Sequence, residues 1–220
     1  MRFEEVGDLL KPGYLPLESG VASYDDGMKT VAALTRMPGC KAKMVHWWFG
    51  WLGGTDQYKL WHPVDHLFSD WEGRKDGVYV GGAHLVHEYL GGPSGPVYKL
   101  KIQFHEPGTF LVDPGFGQFD GVAVSAKIGS LEAPINLGRM VHFVRNTDFG
   151  CEMRSRFFLG HVEARDGAPE IPAAQADAIR AEAVTDEFVR RLHQHATEEM
   201  GYLAELLPVL YRQVTGDRTL

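Results

Sequence analysis

His195 and Glu199 stand four residues apart in the stretch Thr185–Leu207, TDEFVRRLHQHATEEMGYLAELL, whose spacing predicts the longest helix of the chain. Thr185 can cap that helix, and Asp186 and Glu187 in its first turn suit the positive helix end. Phe188, Leu192, Leu203, Leu206 and Leu210 recur at three- and four-residue steps and form an apolar stripe. At about 100° per residue, His195 and Glu199 fall near the centre of the stripe, within roughly 20° of Phe188 and Leu206. An imidazole and a carboxylate therefore point at the core together. A buried glutamate without a partner is costly, so something must compensate it. One answer is a simple His–Glu hydrogen bond. The other is half of a metal site, since His and Glu at i,i+4 on a helix suit zinc. The rest of the chain must supply the other half.

Three further stretches carry polar residues where a core is expected. In YKLWHPVDH (58–66), Pro63 ends a helical turn that Thr55 or Asp56 can cap, and His62, Asp65 and His66 crowd the loop that follows. Solvated or locally hydrogen-bonded histidines are the plain structural alternative there. In VYVGGAHLVHEYL (78–90), strand alternation puts Val78, Val80, Gly82, His84, Val86, Glu88 and Leu90 on one face, which makes Glu88 a second inward carboxylate. Residues 138–163 read as two long strands joined near Asn146–Gly150. Met140, His142 and Val144 share a face of the first; Cys151, Met153, Ser155, Phe157 and Leu159 share a face of the second.

The elements that must position these residues follow from the same patterns. MKTVAALTRM (28–37) predicts a first strand closed by Pro38-Gly39. KAKMVHWWFGWLG (41–53) predicts a short aromatic helix on a sheet, its tryptophans serving as core or as a stacking surface for substrate. Residues 97–105 and 121–128 predict antiparallel strands, with loops at Pro107–Gly121 and Leu131–Asn136. A helix broken before Thr185 precedes the long one, and Pro208 is expected to kink or end the latter. Residues 1–27 form an arm that wraps the domain of residues 28–220. The predicted fold class is α+β, a curved antiparallel sheet gripping one long C-terminal helix, with a cavity between them.

Composition narrows the function classes. The chain has 220 residues, a formal charge of −7 and two cysteines, Cys40 and Cys151. The charge argues against nucleic acid and against an anionic membrane surface as partners. Two distant cysteines make neither a disulfide framework nor a cysteine zinc site. No apolar run approaches membrane length and the N-terminus lacks a signal pattern, so a cytoplasmic location is expected. A symmetric homodimer is the assembly expected on frequency alone.

WWFGW (47–51), YKLWHPVDH (58–66), NTDFGCEMRSRF (146–157) and HATEEMGYLAELLP (195–208) together resemble the diacetylphloroglucinol hydrolase family, which includes phloretin hydrolase. The resemblance runs in order from about Met28 to Pro208. It implies a helix-grip fold, similar to plant pollen-allergen and lipid-transfer (START) domains. It also implies a zinc-dependent hydrolase that splits a carbon–carbon bond between an acyl group and a polyhydroxylated aromatic ring. Carried over, the metal ligands are His66, Glu88, His195 and Glu199, with His62 as the alternative loop histidine. Tyr58 corresponds to a substrate-contacting tyrosine and His142 to the acid–base histidine. A second substrate-contacting tyrosine falls near Phe157 or Phe158 here, and an asparagine is replaced near Ser69; both positions bear on how ring hydroxyls are held.

Nitrogen and carboxylate donors of this set suit zinc better than calcium, and two glutamates would balance the dication. Asp65 or Tyr58 could orient the imidazoles from behind. In the implied reaction, the ring takes a keto form, water attacks the polarised acyl carbonyl, and His142 supplies the proton for the leaving ring. Two other functions compete: a zinc hydrolase of another acyl aromatic, β-diketone or ester, and a non-catalytic helix-grip binder of an aromatic or apolar ligand. The binder predicts no stoichiometric metal and tolerance of Glu88→Gln.

Overall fold

The computed structural model describes residues 1–111 and 119–219, so the central part of the predicted Pro107–Gly121 loop lies outside the described residues. Eight strands form one antiparallel sheet: β1 Gly20–Ser23, β2 Lys29–Pro38, β3 His66–Glu72, β4 Ala83–Glu88, β5 Tyr98–His105, β6 Gly121–Ser130, β7 Ile135–Thr147 and β8 Gly150–Ala164. Their order across the sheet is β1-β2-β8-β7-β6-β5-β4-β3. Irregular registers at His66/Phe68, Ile128/Gly129 and Asn136/Gly138 are the bulges that let so long a sheet bend. Helices α1 Ala42–Trp51 and α2 Thr55–Trp61 follow β2, and α3 Ala173–Ala183 precedes α4 Asp186–Thr215. α4 lies along β2 and against α1 and α2, so the sheet wraps the long helix in the predicted helix-grip arrangement. No helix among the described residues is long and apolar enough to cross a membrane.

α4 begins as its sequence predicts, with Thr185 Oγ1 accepting the Phe188 N–H at 3.1 Å. Its buried line differs. Val189, Ala196, Met200, Leu203 and Leu207 are the residues wholly removed from solvent, while Phe188, Leu206 and Leu210 are only partly buried. His195 and Glu199 therefore lie along the edge of the apolar stripe, facing the cavity, instead of at its centre. Pro208 does not end the helix, which continues to Thr215 and stops at Gly216 in the left-handed conformation (φ 73°). Pro208 has no N–H for the carbonyl of Ala204, and the Cys40 thiol donates to that oxygen instead at 3.5 Å.

Two apolar cores flank the sheet. The inner one joins α4, the α1 tryptophan region and the cavity-facing strand residues. Trp48 is fully buried there, and Trp47 stacks on Trp51 with centroids 5.3 Å apart; neither lines the cavity, so these tryptophans are packing. The outer core exists because the N-terminal arm covers the convex face. Val6 and Leu9, from a 3-10 segment Phe3–Leu10, pack on Ala123, Val141, Phe143 and Phe158. Beside them Arg154 and Arg156 are fully buried, and both pair with Glu18 of the arm at 2.6 Å. The arm also adds β1 to the sheet, ahead of the predicted first strand.

Candidate functional site

His66 is the first residue of β3, and Glu88 the last of β4; they lie directly opposite each other in the antiparallel register. α4 brings His195 and Glu199 to the same place, one turn apart. Donor atoms of His66, His195 and Glu199 lie within 4.8 Å of one another, and all three residues are buried. The Nε2 atoms of His66 and of His195 are each 3.6 Å from Glu199 Oε2.

What holds each imidazole from behind fixes which nitrogen faces this point. His66 Nδ1 lies 2.8 Å from the backbone carbonyl of Tyr58, which can only accept, so Nδ1 carries the proton and Nε2 a lone pair. That Nε2 is buried with no hydrogen-bond partner. His195 Nδ1 donates to Asp65 Oδ2 at 2.9 Å. Asp65 is fully buried and accepts the N–H groups of Gly91 and Gly92, each at 2.9 Å. Both glycines have positive φ (70° and 93°), a backbone conformation that side chains rarely adopt, so this cradle for Asp65 favours glycine.

His62 belongs to a neighbouring group with Asp65 and His195. Its Nδ1 accepts the Asp65 N–H at 3.1 Å, which leaves Nε2 as the donor toward Glu198 Oε2 at 3.4 Å. Both nitrogens of His62 are thus committed away from the Glu199 carboxylate. Glu88 stands beside the three-residue group across the β3–β4 pair, and Tyr58 Oη donates a hydrogen bond to Glu88 Oε2. Burial first, and then the Glu88 carboxylate, push the Tyr58 phenol well above its usual range, so it stays a donor. The Tyr58 ring stacks on His66 with centroids 3.6 Å apart.

Burial drives His66 down to about 3 and Glu199 up to about 7. Burial also opposes charge on His195, yet Glu199, Asp65 and Glu88 together raise it to about 9. His66 presents a lone pair, and His195 a ring nitrogen whose proton an ion would replace, to one carboxylate with Glu88 alongside; this donor set fits zinc, and the orphaned His66 Nε2 is the observation that speaks most directly for it.

This group closes one end of a cavity of about 320 Å³ between α4 and the sheet. Glu88, His195, Glu199, Tyr58, His142 and Phe157 all line it. Leu100, Ile102, Phe104, Met140 and Leu159 are among its apolar wall residues. His142 is buried, stacks on Phe49 with centroids 5.8 Å apart, and pairs through Nδ1 with Ser155 Oγ at 2.8 Å. Burial lowers it to about 3, so it is uncharged at neutral pH. Ser69 is buried but does not line the cavity; its Oγ lies 2.7 Å from Nε2 of His84, which does. His84 is the cavity residue that sequence reasoning passed over. Its signal was its place on the same strand face as Glu88, two alternations earlier.

Known proteins match this chain over nearly its whole length. The model of the DAPG hydrolase PhiG domain matches residues 1–212. A 2,4-diacetylphloroglucinol hydrolase of Pseudomonas sp. is 27% identical across 96% of this chain and 76% of that protein. One from Pseudomonas protegens is 27% identical across 96% of this chain and 73% of its own length. A phloretin hydrolase of Eubacterium ramulus is 28% identical across 96% of this chain and 78% of that protein.

Proposed function

The chain belongs to the DAPG hydrolase family, and from that premise we propose that it is a zinc-dependent hydrolase of acylphloroglucinol-type ketones, cleaving the carbon–carbon bond between acyl group and polyhydroxylated ring. The named relatives at 27% and 28% identity are hydrolases of diacetylphloroglucinol and of phloretin. The observation that carries the zinc reading is the convergence of the His66 and His195 Nε2 atoms on Glu199 Oε2, each at 3.6 Å. His66, His195 and Glu199 would hold the ion, with Glu88 completing the set from across the β3–β4 pair. His66 is preferred to His62 because His62 Nδ1 is already an acceptor for the Asp65 N–H.

In the overall reaction the water oxygen joins the acyl carbon, the bond to the ring breaks with its electron pair on the ring, and the ring carbon takes a proton. The products are a carboxylic acid and a deacylated ring. Zinc, when bound, supplies Lewis acidity at the acyl carbonyl and makes water a better nucleophile. The protein does the rest by position. Asp65 fixes His195, and the Tyr58 carbonyl fixes His66, so neither ligand must reorganise. The apolar wall holds the substrate and strips water from the reacting carbonyl. Tyr58 presents its phenol beside Glu88, as a contact for a ring oxygen. His142, uncharged in the resting site because burial lowers it, would take the proton that the attacking water loses and pass it to the ring carbon.

Metal analysis of the purified chain, with release of carboxylic acid from acylphloroglucinols, tests the proposal. About one zinc per chain is expected, and Glu199→Ala should lose both metal and turnover. A chain that takes up no zinc, or a Glu199→Ala variant as active as the parent, would show the reading to be wrong.

A further inference from the structure

Among the cavity's polar side chains outside the proposed ligand set, Tyr58 has its hydroxyl engaged by Glu88. Trp61, Tyr98, Glu182 and Thr185 also line it, and so do two imidazoles that are built alike. His84 on β4 and His142 on β7 are each 2% exposed, and each has one nitrogen on a serine hydroxyl: Ser69 Oγ at 2.7 Å and Ser155 Oγ at 2.8 Å. Each also lies against an aromatic ring, His84 on Trp71 at 4.5 Å and His142 on Phe49 at 5.8 Å. Both residues line the cavity, and neither second nitrogen, His84 Nδ1 or His142 Nε2, has a hydrogen-bond partner among the described residues.

A ring nitrogen that faces the cavity is free to pair with what the cavity holds, and costs free energy where a bound apolar group leaves it unpaired. Ser69 is itself anchored: its N–H donates to Thr55 Oγ1 at 3.0 Å, and Thr55 Oγ1 donates back to the Ser69 carbonyl at 3.4 Å. Ser69 thus sets the His84 ring in one orientation without reaching the cavity. Because a serine hydroxyl can donate or accept, either neutral tautomer of His84 is satisfied on that side. The cavity-facing Nδ1 can then accept from a phenolic O–H or donate to a ring carbonyl.

Resting on the function proposed above, we infer that His84 is a specificity-determining residue: seated by Ser69 and Trp71, it hydrogen-bonds an oxygen substituent of the aromatic ring and so selects rings that carry several hydroxyls. Ser69 is its positioning residue. A ring lacking that oxygen would leave the imidazole nitrogen unpaired in an apolar wall, which is the arrangement that rejects analogues most strongly.

Binding of deacylated rings tests this without turnover. Calorimetry on the zinc-loaded chain would compare phloroglucinol with phenol, for the parent, His84→Leu and Ser69→Ala. The parent is expected to prefer phloroglucinol, His84→Leu to lose roughly tenfold in that preference, and Ser69→Ala to lose a smaller part of it, as the loss of one hydrogen bond implies. Zinc content should stay at the parental value in both variants, since neither residue is in the ligand set. If His84→Leu does not fold, Ser69→Ala alone carries the test. Parental preference in the folded variants, or equal weakening for both rings, overturns the inference. Absent turnover of acylphloroglucinols with the binding preference intact would instead count against the proposed reaction and leave the role of His84 standing.

Discussion

Asp65 does not line the cavity, yet it decides where a cavity residue points. It holds His195 by Nδ1 and is itself held by the Gly91 and Gly92 N–H groups. Without that anchor the imidazole can rotate or change tautomer, and its Nε2 is no longer fixed on the site. Asp65→Ala is therefore expected to weaken zinc binding ten- to a hundredfold, in order of magnitude, in a chelator competition, with far-ultraviolet circular dichroism unchanged. Parental affinity in a folded variant would show that Asp65 does not position the ligand. At this scale the sequence marks His195, Glu199 and Glu88 as inward-facing polar residues because periodicity reports which face a side chain occupies. It does not separate His66 from His62, since both crowd one loop. What separates them is a carbonyl behind one ring and a backbone N–H against the other, which only the folded chain shows.

The long helix was legible in its start and less so in its end. Thr185, Asp186 and Glu187 mark the N-terminus by local chemistry, whereas the passage through Pro208 depends on a thiol from α1's leading loop. Pro208→Ala would restore the hydrogen bond to the Ala204 carbonyl and is expected to raise the thermal midpoint. In that background Cys40→Ala should cost less than it does in the parent, because the carbonyl has regained a donor. A double-mutant cycle by thermal denaturation reads this directly; equal costs in both backgrounds would mean that the thiol does not compensate the proline. The buried line is centred away from the predicted stripe because Val189, Met200 and Leu207 belong to it together with the small Ala196, and spacing alone does not say which of two adjacent apolar lines meets the sheet. β3 was missed as a strand because its bulge between His66 and Phe68 breaks the alternation on which a strand is recognised.

Across the whole molecule, the N-terminal arm completes the convex side of the sheet. Residues Arg154 and Arg156 occupy the alternation positions that a one-layer reading assigns to water, and they are buried because the arm lies over them. Alternation along β8 cannot reveal what another segment covers. Burial pushes Glu18 upward, but the Arg154 and Arg156 guanidiniums and the Leu15 N–H outweigh it and hold the carboxyl at about 2. With a folded value below the unfolded one, the stabilisation is present above the ordinary carboxyl range and is lost as pH falls toward 2. Glu18→Gln is expected to lower the thermal midpoint by several degrees at pH 7 and to approach the parent only near pH 2, as measured by scanning calorimetry. A pH-independent difference would place the effect in packing instead. The proposed ligand set has a consequence at the same scale, since it draws on β3, β4 and the second turn-pair of α4. An ion seated there would act as a clasp between His66 and Glu199, closing a loop through most of the chain and shrinking the unfolded ensemble as a cross-link does. It follows that a growing polypeptide cannot take up its metal until α4 has been made, and that the mature protein should resist protease longer with the metal than after chelation.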